Sequence, residues 1–191
     1  MIKVVDLFSG VGGLTFGFKK NIRRNRFVDR DTFDIVFANE LDSDAAEAFR
    51  LNYSDIPMLE TDISNLDEEY LNKRYLDLED IDLIVGGPPC QSYSTVGKRQ
   101  YDHRAQMYRE YRRMLSLIKP KMFVFENVLG LLSMKNDDGD PVINDVEACF
   151  KDFNDFNISL GYTIYKKVLN AQFYGVPQSR ERVFLVGIRN D

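Results

Sequence analysis

At 191 residues, 44% hydrophobic and 29% charged, the chain has the size and composition of one soluble domain with a proper core. A net charge of −5 argues against a general nucleic-acid binder, and no apolar run approaches a membrane span. Two cysteines, Cys90 and Cys149, exclude a disulfide framework, and the start on a strand-like segment rather than a signal peptide fits a cytoplasmic setting.

Residues 3–7, Lys-Val-Val-Asp-Leu, read as the first strand. Phe8, Ser9, Gly10, Val11, Gly12 and Gly13 then form a glycine-rich turn, followed by a helix with Leu14, Gly17 and Phe18 on one face. Such a turn lets a ligand approach the backbone closely. Its spacing is not Gly-x-Gly-x-x-Gly and no Lys-Ser/Thr follows, so dinucleotide and P-loop readings fit poorly. Residues 21–32 are polar and charged and read as a solvated surface connector. A second strand, 33–38, ends at Asn39-Glu40-Leu41-Asp42. Glu40 is placed to accept hydrogen bonds from ribose hydroxyls, and Asp42 to cap a helix through Ala45, Ala48 and Phe49. A short strand at 58–60 leads to Asp62 and Ile63, where Asp62 could equally be a turn residue. Residues 67–80 read as a charged helix burying Tyr70, Leu71, Tyr75 and Leu78.

The fourth strand, 81–85, runs into Gly86-Gly87-Pro88-Pro89-Cys90-Gln91-Ser92-Tyr93-Ser94. Two glycines and two prolines stop the strand and stiffen the loop, which holds the Cys90 thiol beyond a strand's carboxyl end, where open α/β sheets place ligands. Cys149 sits on the apolar side of a later helix and reads as inert core. A basic cluster follows the loop: Lys98, Arg99, Arg104, Arg109, Arg112 and Arg113. Helical spacing over 104–119 places Met107, Tyr111, Met114, Leu115 and Ile118 inward. The fifth strand, 122–125, delivers Glu126. A strand–helix–strand crossover makes these two strands parallel, so thiol and carboxyl could face one small gap. A polar turn, 134–141, precedes a helix over 142–156 with Val142, Val146, Cys149, Phe150 and Phe153 inward. Strands at 162–169 and 183–188 flank a connection carrying Arg180 and Arg182.

Five stretches resemble, in order, motifs of the DNA (cytosine-5)-methyltransferases: Asp6-Leu7-Phe8-Ser9-Gly10, Asp62-Ile63, Gly86–Gln91, Phe125-Glu126-Asn127-Val128, and Gln178-x-Arg180-x-Arg182. The resemblance implies a doubly wound α/β fold with helices on both faces of a mostly parallel sheet, the last strand antiparallel. It implies one catalytic domain over residues 1–191, without the target-recognition region and final motif. It implies S-adenosyl-L-methionine as cofactor, S-adenosyl-L-homocysteine as product, and no metal. Phe8, Ser9, Gly10, Val11, Gly12, Gly13, Leu14, Glu40, Leu41, Asp62, Ile63, Gly87, Pro89 and Met107 become cofactor contacts. Cys90 becomes the nucleophile, Glu126 the acid at the base, Arg182 its orienting partner, and Arg180 a phosphate contact. The substrate is double-stranded DNA with its target cytosine flipped out, beneath a lid over 94–103. Either the chain is truncated or a second polypeptide supplies the rest, with an exposed apolar surface where it packs. An RNA cytosine methyltransferase shares the catalytic set, and a catalytically silent subunit is a further alternative.

Overall fold

From Val4 onward β1 (Ile2–Leu7) is fully buried, the continuous apolar run expected of a parallel strand rather than an alternating one. The computed structural model describes residues 1–23, 26–74, 78, 80–89, 107–151 and 161–190, which fall into two units: Met1–Gly86 with Leu117–Lys121, and Gly87–Ser116 with Met122–Asp191. In the first unit, β1 pairs in parallel with β4 (Phe33–Glu40) on one side and β6 (Leu83–Gly86) on the other, and β5 (Met58–Glu60) extends the sheet beyond β4. Helix α1 (Gly13–Lys19) follows β1, α2 (Ser43–Asn52) follows β4, and α3 (Glu68–Asn72) follows β5. Asp42 caps α2 as expected, its carboxylate accepting from the Ala45 amide at 2.9 Å. Phe37 and Phe49 are fully buried here, each worth roughly 2–3 kcal/mol of apolar burial.

The second unit is antiparallel where its strands pair. Strand β9 (Glu181–Arg189) lies between β7 (Met122–Val128) and β8 (Tyr162–Asn170) and runs opposite to both, so the antiparallel last strand holds. Helices α4 (Met107–Ile118), α5 (Gly130–Ser133) and α6 (Val142–Lys151) complete it. The core is aromatic. Tyr111 of α4 meets Phe123 and Phe125 of β7, and Phe150 of α6 meets the same three rings, at centroid separations of 5.0–6.0 Å. The buried Tyr111 hydroxyl donates to the Val124 carbonyl at 3.0 Å, which keeps a polar tip in an apolar core from going unsatisfied. Tyr165, Phe173, Tyr174, Val176 and Ile188 of this unit are exposed. Among the described residues no helix is long and apolar enough to cross a membrane.

Four expectations need correction. Residues 21–32 are not a plain solvated loop: β2 (Lys20–Arg23) and β3 (Arg26–Asp29) form an antiparallel ribbon, with Lys20 opposite and ion-paired to Asp29. Cross-strand charge pairing stabilises a ribbon whose polarity looks loop-like when read linearly. Among the described residues the helix expected over 67–80 is confined to α3, capped by Asp67, and the chain turns at Arg74, whose amide donates to the Leu71 carbonyl. Cys149 is half-buried rather than core, and Ile143, not expected inward, is buried instead. Strand β4 runs on through Glu40. The start of the expected 104–119 helix, Tyr75, and the end of the 142–156 helix with Phe153 lie outside the described residues.

Candidate active site

In the first unit the glycine turn is built from its backbone. Phe8, Gly10 and Gly12 all have positive φ, at 54°, 54° and 93°. Gly12 must be glycine for a second reason: a Cβ there would stand 2.4 Å from the Tyr53 ring. A glycine N-cap leaves α1 with no side-chain cap of its own. Asp6, at the end of β1, supplies one from across the turn, its Oδ2 accepting from the Thr15 amide at 3.2 Å and the Thr15 hydroxyl at 2.6 Å. Asp6 is completely buried, and among the described residues its Oδ1 has no partner. Loss of water pushes its carboxyl up to about 7, against the pull of the two Thr15 bonds. The Tyr53 hydroxyl donates to the Gly12 carbonyl at 3.2 Å, pinning the turn from the end of α2.

Glu40 closes the turn's other side. One carboxylate oxygen accepts from the Gly10 amide at 2.8 Å and the other from the amides of Leu41 and Asp42 at 2.7 and 2.9 Å. Ser9 is held to the Asn39 carbonyl, and the buried Asn39 amide donates to the carbonyls of Leu59 and Thr61, tying β4 to the segment that carries Asp62. Val11 and Leu41 stand exposed at 58% and 64%, whereas Leu14 is half-buried and Gly13 exposed. Asp62 acts as the turn residue the sequence allowed, accepting from Ser64 N and Oγ, and Ile63 is buried at 4%.

In the second unit Glu126 lies near the end of β7 with its side chain 23% exposed, its Oε1 3.0 Å from Arg182 Nε. Burial pushes the Glu126 carboxyl above its usual range, and the charges of Arg182 and then Arg180 oppose that rise. Arg182 is presented by β9, paired with Val128 of β7. Arg180 is exposed, its amide donating to Asn170 Oδ1 at 3.2 Å. The Gly-Gly-Pro-Pro stretch meets this carboxylate directly: a Cβ at Gly87 would come within 2.8 Å of Glu126 Oε2. Asn127 Nδ2 donates to the Pro88 carbonyl at 3.3 Å. Pro88 is buried and Pro89 exposed. Cys90 itself, the 94–103 stretch, Lys98, Arg99 and Arg104 lie outside the described residues. Met107 opens α4, half-buried. Of the basic cluster, Arg112 Nε donates to the Cys149 carbonyl and Arg113 pairs with Glu110, so both serve the fold.

Sequence reading named Asp6 and Asn127 only as members of family motifs and gave no role to Asn39 or Tyr53. Only Asp6 and Asn127 carried a signal, each being a polar residue inside an otherwise apolar strand, where burial demands a partner.

The family described as C-5 cytosine-specific DNA methylase matches residues 2–191. The Type II methyltransferase M.FnuDI of Fusobacterium nucleatum is 38% identical over 192 residues, covering 100% of this chain and 48% of that protein. M.AquIA of Picosynechococcus, also named a Type II methyltransferase, is 34% identical, covering 98% of this chain and 72% of that protein. A crystal structure of a prophage-encoded DNA modification methyltransferase from E. coli superimposes with a TM-score of 0.74 at 29% identity, over 99% of this chain and 47% of that one. The chain thus spans about half the length of M.FnuDI.

Proposed function

Because the chain belongs to the C-5 cytosine-specific DNA methylase family, we propose that it carries the cofactor and catalytic machinery of a cytoplasmic enzyme that methylates cytosine C5 in double-stranded DNA. The observation that supports this most is the Arg182–Glu126 pair standing against Gly87, three residues before Cys90.

Cytosine C5 is too weak a nucleophile to take a methyl group unaided. Addition of the Cys90 thiolate to C6 pushes electron density onto C5 and divides one difficult step into easier ones. Burial raises the Glu126 carboxyl, which favours its role as the acid that donates to the ring nitrogen N3 as charge develops there. Arg182 holds Glu126 in place by their 3.0 Å contact and offers its remaining donors to the cytosine O2. Arg180, exposed beside them, pairs with a backbone phosphate near the flipped base. Loss of the C5 proton and expulsion of the thiolate restore the aromatic ring.

The turn residues fit S-adenosyl-L-methionine, which supplies an electrophilic methyl group. A Cβ at Gly10 or Gly13 would meet nothing within 4 Å, so the backbone there is open to a ligand. Glu40 offers a carboxylate for hydroxyls, and the exposed Val11 and Leu41 offer apolar surface for a ring. Phe8, Ser9, Gly12, Leu14, Asp62 and Ile63 belong to the same proposed set of cofactor contacts, as do Gly87, Pro89 and Met107. S-adenosyl-L-homocysteine is the product.

The Type II names of the relatives place this reading in a restriction–modification setting. The test is methyl transfer from tritiated S-adenosylmethionine to unmethylated DNA, with covalent capture on 5-fluorocytosine DNA. Cys90→Ala is expected to abolish both; capture persisting in that variant would remove Cys90 from the mechanism.

A further inference from the structure

We infer that Asn127 is a positioning residue for the nucleophile: its side-chain amide bolts Pro88, two residues before Cys90, to β7 beside Glu126. This rests on the reading of Cys90 as nucleophile. Asn127 is 1% exposed, and a buried amide in an aromatic-rich strand has a desolvation cost that two good partners must offset. It has them. Oδ1 accepts from the Val128 amide at 2.9 Å and Nδ2 donates to the Pro88 carbonyl at 3.3 Å. The first bond fixes the orientation of the amide on its own strand. The second reaches 39 residues back in the chain, to a position two residues before Cys90.

The partner at the loop is suited to the task. Pro88 and Pro89 have fixed φ and no N–H, so this stretch cannot be held by amides of its own, and its carbonyls are the handles that remain. Glu126 and Asn127 are consecutive in β7 and therefore point to opposite faces. The loop meets both, with Gly87 against the carboxylate and Pro88 under the amide. Two contacts on adjacent residues of one strand leave the loop little freedom to slide or twist.

The substitution that isolates the bond is Asn127→Asp. It keeps the size and the acceptor for Val128, but sets an oxygen against the Pro88 carbonyl. Lowering the pH protonates that aspartate, whose hydroxyl can then donate to Pro88; burial raises its pKa and brings this into reach. Among the described residues, the titratable groups next to it in the sheet are Glu126, one residue before it on β7, and Arg182, opposite Val128 on β9; the wild type carries both, so ratios to wild type cancel them. The experiment measures kcat and KM for DNA and for S-adenosylmethionine on the full-length enzyme at pH 8 and pH 6, with thermal melts. Asn127→Asp should lose about 10- to 100-fold in kcat at pH 8, the scale of a small misplacement of reacting groups, with both KM values within about twofold. Its deficit should close by at least about threefold at pH 6. Asn127→Ala, which cannot donate at any pH, should show the same deficit at both. Wild-type kcat in Asn127→Asp, or equal losses at both pH values in the two variants, would overturn the inference while an inactive Cys90→Ala leaves the nucleophile reading standing. An active Cys90→Ala would remove that reading and this inference with it. If Asn127→Ala does not fold, Asn127→Asp alone carries the comparison between the two pH values.

Discussion

The ends of β1 and β7 each carry a carboxylic acid whose pKa is raised because it has lost water, yet the two acids are furnished differently. Asp6 is wholly buried, its bonded oxygen facing Thr15, and among the described residues it has no cation beside it and one oxygen unpartnered. Glu126 is part-exposed and has an arginine at 3.0 Å. A sealed acid held by a helix amide and a hydroxyl does structural duty: it replaces the side-chain cap that Gly12 cannot provide. An acid open on one side, with a cation to orient it, is equipped to meet a substrate. Raised pKa values alone would have ranked Asp6 as the functional group; exposure and partner reverse the order.

The sharpest way to break this contrast is the pH dependence of stability. The folded-state pKa of Asp6 is about 7 against an ordinary 3.8, so the folded protein binds this proton more tightly than the unfolded chain. Stability from this group is therefore complete below about pH 4 and is lost as pH rises toward 7, by up to about 4 kcal/mol. Asp6→Asn should erase that slope. Urea melts of both proteins from pH 4 to pH 8 would show a wild-type-minus-variant difference that falls with pH. A flat difference would mean Asp6 is not the sealed acid described. Asp82, Asp55 and Glu147, whose pKa values are lowered, contribute in the opposite direction but cancel in the difference.

At the other acid the effect should appear in catalysis. Arg182→Ala removes the largest influence holding the Glu126 pKa down, so that pKa should climb further. The loss of one fixed electrostatic group should cost roughly a hundredfold in kcat, measured on the full-length enzyme. An unchanged kcat would leave the arginine as packing only.

The two glycines beside these acids should separate more gently. Gly12→Ala forces a Cβ into the Tyr53 ring at φ 93°, and should lower stability by roughly 2 kcal/mol. Gly87→Ala meets only the end of the Glu126 side chain at 2.8 Å, which can swing aside, so stability should fall by less than about 1 kcal/mol. Thermal melts decide both, and equal losses would erase the distinction.

The parallel strands and the order of the site motifs were readable because apolar runs bounded by glycine or proline carry their own signal. Glu126 could be named for the same reason, as a charge at the end of such a run, whereas Arg182 was legible only through the family motif it completes. What escaped was whatever depends on a distant partner. Asp6 looks like a polar interruption in a strand until the turn brings Thr15 to it. Lys20 and Asp29 look like solvated charges until the ribbon sets them opposite each other. Asn127 reads as a neighbour of Glu126, and nothing local announces Pro88.

Strand β7 alternates without a break, with Phe123, Phe125 and Asn127 buried and Met122, Val124, Glu126 and Val128 half-buried. Ballast and reagent are thus interleaved like the two tracks of one zip. Because the rhythm is two, adding or deleting a single residue would turn the phenylalanines outward and the carboxylate into the aromatic cluster together. Related chains can exchange the lettering of this strand with some freedom, but its count is a fixed metre, and gaps in alignments should fall on either side of it.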